Sequence, residues 1–248
     1  MPKFKLFAGK KGAADQKKNN QYVKLARQIF VEAKNGGPDP TANLKLKAII
    51  ANARAINMPN DNIERAIKKA TDSGQGDNYE EIRYEGYAPG GVAVIVECLS
   101  DNRNRTAADV RAIFGKRGGN MGETGSVSFM FDRKGVIVID REEFEVDEDT
   151  MLMQALEAGA EDLIVTEEEF EVITHPHELE QVKHALETES YKFTNAEIQW
   201  IPQNTVKISG EDAETILKMM EAFEENDDVQ NVYANYDIDK EELERIQG

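Results

Sequence analysis

A single cysteine among 248 residues, Cys98, excludes any disulfide within the chain. It sits in the apolar run Val92 to Leu99, where a lone thiol reads as a small buried hydrophobe. No stretch approaches the roughly 20 apolar residues that span a bilayer, so no membrane partner is expected. The opening Met1-Pro2-Lys3-Phe4-Lys5 has no apolar signal-peptide core, and no Arg or Ser precedes Asp15 as an organellar transit peptide would require. Cytoplasm is the compartment these absences point to. Histidine is also scarce. His175, His177 and His184 lie close in sequence, but no cysteine is near and their Glu neighbours suit a solvated helix face, so no metal and no cofactor is expected. The glycines of Gly115 to Gly122 lack the phosphate-loop spacing and follow a helix instead of leading into one. No Ser or Cys stands in a nucleophile-elbow context, and the many carboxylates single out no acid/base pair. The chain does not read as an enzyme.

What is abundant is acid, and it is unevenly placed. The net charge is −17, which on average should repel a polyanion. Residues 1–75 nevertheless hold 15 basic against 6 acidic side chains, residues 76–133 hold 7 against 9, and residues 134–248 hold 8 against 32. Such asymmetry suits a domain with a polyanionic partner tied to a solubilising body.

Tyr22, Leu25, Ala26, Ile29, Phe30 and Ala33 recur at helical spacing, and the pattern stops at Gly36-Gly37-Pro38. A second helix is expected after Pro40, with Thr41 as N-cap and Leu46, Ile49, Ile50 and Ala53 inward; Met58-Pro59 closes it. A third, capped by Asn60 or Asp61, carries Ile63, Ala66, Ile67 and Ala70. The polar stretch 71–78 marks a linker. Beyond it, strands at 82–87 and 92–99 flank Pro89-Gly90-Gly91, a helix runs from about 106 to 116 with a glycine C-cap, and a strand is expected at 127–131. From 136 to 201 the order is β-α-β-β-α-β, the ferredoxin-like arrangement. The β-α-β of 206–236 would complete a second such module around it. The expected fold class is α+β: an N-terminal three-helix bundle followed by two ferredoxin-like α/β domains, one inserted in the other. The expected domains are 1–75, 79–133 plus 204–240, and 134–203.

The basic residues of the first domain carry the functional reading. At 100° per residue, Lys24 and Arg27 fall opposite the stripe of the first helix, and Arg65, Lys68 and Lys69 opposite that of the third; Lys47 and Arg54 share a flank of the second. Lys10, Lys11, Lys17 and Lys18 precede them. Three helices of one sign point to nucleic-acid phosphates. Arg103 and Arg105 form a second basic knot where a strand hands over to a helix. There an anion at the helix N-terminus weighs equally with simple capping, in which Thr106 or Asn104 satisfies the amides and the arginines pair with nearby Glu or Asp.

The chain resembles the YebC/PmpR family of probable transcriptional regulatory proteins, whose relatives include the mitochondrial translational activator of cytochrome oxidase. The resemblance rests on Asn57-Met58-Pro59-Asn60-Asp61-Asn62-Ile63-Glu64-Arg65-Ala66-Ile67-Lys68-Lys69, on Tyr84-Glu85-Gly86-Tyr87-Ala88-Pro89-Gly90-Gly91-Val92-Ala93, on Asp101-Asn102-Arg103-Asn104-Arg105-Thr106 and on Gly118-Gly119-Asn120. It continues through Gly125-Ser126-Val127, Lys134-Gly135 and Val229-Gln230-Asn231-Val232-Tyr233. The chain departs from the family at Phe4 to Lys11, so contacts of that tract do not transfer. The resemblance implies a bundle with two α/β domains, and either DNA binding with transcriptional control or ribosome association. DNA is the leading partner and ribosomal RNA the alternative, with the acidic α/β domains either clear of the duplex or engaged with a protein.

Overall fold

The computed structural model of the chain describes residues 11–72, 78–144 and 146–247, with side chains over 18–72, 78–144 and 146–246. It divides into two compact units, residues 129–204 and the described residues on either side of them.

Helix α1 (Lys11–Gly36), α2 (Leu44–Ala55) and α3 (Asn60–Asp72) make the N-terminal bundle. Its core is the one their periodicity predicts: Ile29, Phe30 and Ala33 meet Leu46, Ile50 and Ala53 and then Ile63, Ala66 and Ala70. Met58 joins them from the turn before α3. The start of α2 differs from expectation. Asn43 is the N-cap, its side chain accepting from the Leu46 amide at 3.1 Å, while Thr41 is held in a turn by Asp39. Asn43 also donates to the Glu32 and Gly37 carbonyls, which ties the end of α1 to the start of α2.

Strands β1 (Glu80–Ala88) and β2 (Val92–Ser100) form a hairpin in continuous register around a 3-10 turn at Pro89–Gly91. Helix α4 (Arg103–Lys116) ends where Gly118 turns at φ +71°, a left-handed conformation that glycine adopts without strain. The short β3 (Asn120–Met121) then pairs with β1. The strand expected at 127–131 is absent. Val127 and Ser128 instead donate their amides to the buried Glu85 carboxylate at 2.9 and 2.8 Å, and Ser128–Met130 is a 3-10 turn. Burial works to raise the Glu85 pKa, but these amides, with that of Gly125, outweigh it and hold the carboxyl below its usual range.

The unit of residues 129–204 contains β4 (Phe131–Asp140), α5 (Glu148–Ala158), β5 (Asp162–Val165), β6 (Glu169–Thr174), α6 (Leu179–Thr188) and β7 (Asn195–Pro202). Its sheet order, β5-β6-β4-β7, is antiparallel throughout and is the ferredoxin-like one. Ile137, Ile139, Phe170 and Val172 pack on Met151, Ala155, Val182 and Leu186 of the two helices. Its first and last strands are partners, with Phe131 opposite Pro202.

After that unit come β8 (Val206–Lys207), α7 (Gly210–Glu225), β9 (Val229–Ala234), β10 (Tyr236–Asp237) and α8 (Lys240–Gln247). Strand β9 joins the first sheet, giving the order β3-β1-β2-β9. Val94, Val96 and Cys98 of β2 pack on Val110 and Phe114 of α4 and on Ile216, Met220 and Phe223 of α7. The place beside β2 that β8 would take in a simple repeat is held by β1, and β8 pairs with β10 in a separate parallel ribbon. A two-residue strand offers little ladder, whereas β1 offers nine paired residues to β2. The Cys98 thiol is pushed up to about 12, first by burial and then by Asp228 nearby, which leaves it an inert core group. No helix among the described residues is long and apolar enough to cross a membrane.

Candidate nucleic-acid interface

The cations expected on one face of the bundle separate into two sets. Lys47 and Arg54 on α2, and Arg65 and Lys68 on α3, stand exposed to solvent off the packed stripes. Lys18, near the start of α1, is also exposed. Lys10 lies outside the described residues, as do the side chains of Lys11 and Lys17. Lys69 is exposed but has its ammonium 5.4 Å from the Phe30 ring centroid.

Lys24 and Arg27, read from helical spacing as outward cations, are not. Lys24 donates to the Glu224 carbonyl at the end of α7 at 2.7 Å. Burial pushes its ammonium pKa down, against the pull of Glu224 and Asp227. Arg27 donates to the Leu99 carbonyl and, at 2.5 Å, to Asp228. Gln28 bonds Gln230 on β9. The apolar stripe locates one packed face of α1; this second face is packed through polar groups, which periodicity does not register.

Asp228 is the hub of that packing. It is 4% exposed and accepts from Arg27, from Arg105 at 2.9 Å, from Thr106 at 2.7 Å and from Ser100 at 3.4 Å. Burial works to raise its pKa; the bonds from Thr106, Arg27 and Arg105 together prevail and hold it below the usual carboxylate range. Arg105 also pairs with Asp101, and its guanidinium is held above its usual value first by Asp228 and then by Asp101. The strand-to-helix turn is therefore a paired and capped one, with the Asn102 side chain accepting from the Arg105 amide at 3.0 Å. The other basic residue there, Arg103, is exposed. Neither Thr106 nor Asn104 is the cap, and the helix begins three residues earlier than expected.

The sequence reading passed over two features. One is Asp228 itself, whose only signal is its place immediately before the Val229-to-Tyr233 motif. The other is a cleft of about 360 Å³ between α1 and α3, walled by Tyr22, Phe30 and Tyr79 together with Arg27, Arg65 and Lys69. Its aromatic residues look like ordinary core members in sequence.

His175 and His177 lie 5.3 Å apart ring to ring, and among the described residues no group of three His, Cys, Asp or Glu side chains converges as metal ligands. Treatment with a chelator is expected to leave the thermal midpoint unchanged; a stoichiometric metal in the purified protein would contradict this.

The comparisons with known proteins agree with this architecture along the chain. The model described as TACO1/YebC protein N-terminal domain matches residues 2–73, and that described as TACO1/YebC second and third domain matches residues 79–236. A probable transcriptional regulatory protein of Geobacillus kaustophilus is 54% identical over 95% of this chain and 96% of its own length. One of Geobacter sulfurreducens is 53% identical over 98% of each. The crystal structure of a conserved hypothetical protein from Aquifex aeolicus superposes with a TM-score of 0.83 at 45% identity, covering 94% of this chain and 95% of that one. With a basic helical bundle, two antiparallel sheets and sequence identity running through all of them, this chain belongs to the TACO1/YebC family.

Proposed function

We propose that this protein is a non-enzymatic, cytoplasmic regulator of gene expression that binds nucleic-acid phosphates through α2 and α3 of a basic helical domain, residues 1–75. The observation that carries the reading is the exposure of Lys47, Arg54, Arg65 and Lys68 on adjoining helices of a chain whose net charge is −17. Cations kept in water on the one basic segment of an acidic protein suit a polyanion, whose bound counterions they displace. DNA is the favoured target, since the relatives carry the name of transcriptional regulatory proteins. Ribosomal RNA is the second reading, favoured by α3, which presents Arg65, Lys68 and Lys69 without the Asn, Gln and Arg set of a base-reading recognition helix. Residues 79–133 with 204–240, and 134–203, serve on this reading as an acidic body that stays off the polyanion or meets a protein.

Log affinity should fall linearly with log salt. Replacing Lys47, Arg54, Arg65 and Lys68 together by Ala should lower that slope by about 0.9 per lost contact on duplex DNA, or about 0.7 on a single strand. Because all four are exposed, each substitution should change stability by no more than about 0.5 kcal/mol. The loss should be alike across sequences, as phosphate contacts carry no base information. An unchanged slope would mean that this face is only solvated surface.

A further inference from the structure

Phosphate contact alone leaves the cleft between α1 and α3 unused, although Arg65 belongs to both. In a chain with 47 carboxylates, none is found among the described residues lining it. Its walls combine aromatic rings, cations and two side-chain amides, those of Asn19 and Asn62. Its volume lies within the range of small-molecule pockets.

The walls are also fixed in place. Tyr22 donates its hydroxyl to the Asn57 carbonyl at 2.8 Å, so its ring is held at the cleft by the turn before α3. Tyr79 meets Phe30 edge-on at 5.5 Å between centroids. The Arg27 guanidinium lies 5.5 Å over the Tyr79 ring and is held from behind by Asp228. Aromatic rings and guanidinium planes are the surfaces on which unstacked bases rest, and an amide offers a donor and an acceptor to a base edge. A rim with no carboxylate among its described residues suits the phosphates on either side of that base.

We infer that this cleft receives one unpaired base of a single-stranded nucleic acid, while the α2 and α3 cations hold its flanking phosphates. The inference rests on the phosphate-binding reading and narrows it. A base within a duplex reaches such a site only after unstacking and unpairing, at a cost that a single strand does not bear. The target is therefore a strand already open, of RNA or of DNA.

The test uses the full chain and four fluorescent probes at one salt concentration: a short single-stranded RNA, the single-stranded DNA of the same sequence, the corresponding DNA duplex, and a single strand of equal length made of abasic residues. Stacking of one base on an aromatic wall predicts that the single strands bind about tenfold more tightly than the abasic strand. They should also bind more tightly than the duplex, and the stronger of the two identifies the sugar. A strand carrying 5-iodouracil should crosslink to Tyr22 or Tyr79. Substituting Asn19→Ala with Asn62→Ala should reduce the base-dependent gain while leaving the salt slope of the wild type, with a thermal melt reporting that the variant is folded. Equal binding of abasic and base-bearing strands would overturn the cleft assignment and leave phosphate binding standing. Failure to bind any of the four would overturn the phosphate reading beneath it.

Discussion

Replacing Asp228 by alanine is expected to cost about 3 kcal/mol of folding stability, the scale for removing one partner of a buried ion pair. Two guanidinium groups then lose their shared acceptor, and Thr106 and Ser100 lose the carboxylate that satisfies them. The value sits at the low end of that scale because the Arg105 side chain is 44% exposed and water can replace part of what it loses. Since Asp228 holds Arg27 of α1 and Arg105 and Thr106 of α4, the loss should appear as loosening of the bundle from the first sheet as well as a lower urea midpoint. The sign of the pH dependence follows from the lowered carboxyl. Its contribution is fully present above the unfolded value, about 3.9, and disappears as pH falls through the lower folded value. Wild type should therefore lose stability below about pH 4 more steeply than Asp228→Asn does. A urea midpoint unaltered in Asp228→Ala would show that the hub contributes nothing.

A second large effect is expected at Gly86. A Cβ there would stand 2.5 Å from the Asn120 carbonyl oxygen and 2.9 Å from Phe114. The strand has no room to shift, because Gly86 is opposite Val94 on one side and Met121 on the other. Phe114 cannot withdraw either, being fully buried and edge-on to Phe223 at 5.1 Å. Gly86→Ala should cost about 3 kcal/mol, the upper end of overpacking in a filled core. Gly115, inside α4 with nothing within 4 Å of its would-be Cβ, is the control: its replacement by Ala should raise stability by up to about 1 kcal/mol. Thermal or urea unfolding of the two variants measures both, and a Gly86→Ala protein as stable as wild type would refute the close-approach argument.

The parts of the fold that were legible in sequence are those set by apolar periodicity. The stripes of α1, α2 and α3 name the bundle core almost residue by residue, and the β-α-β-β-α-β order of 136–201 suffices for the inserted sheet. Where polar groups decide, the reading slipped. Asn43 takes the cap that Thr41 was expected to hold, and Asn102 the one for which Thr106 or Asn104 were the candidates, because which short polar side chain reaches the amide depends on the incoming chain. Val127 and Ser128 look like the start of a strand, yet the Glu85 carboxylate, 42 and 43 positions earlier in sequence, claims their amides. The pairing of β8 with β10 instead of β2 and the existence of α8 both depend on pairing and packing that element order does not encode. The same division holds at the interface. Exposure of Lys47, Arg54, Arg65 and Lys68 followed from helical geometry, whereas the withdrawal of Lys24 and Arg27 into contacts with Glu224 and Asp228 required the partners, some 200 residues away in the chain.

The pairing of Phe131 with Pro202 has a consequence for how such a chain can vary. The segment that starts at the first strand of the inserted unit returns to the same place with its last, and the Gln203 amide closes the pair on the Met130 carbonyl. Entry and exit are neighbours, so the host meets the insertion as it would meet one short loop, whatever the length between. Loop-closure entropy grows only with the logarithm of that length, at about 0.6 kcal/mol per doubling. Lineages can thus rewrite, enlarge or exchange the whole cassette while the sheet that carries Asp228, and the helices fastened to it, keep their own sequence constraints.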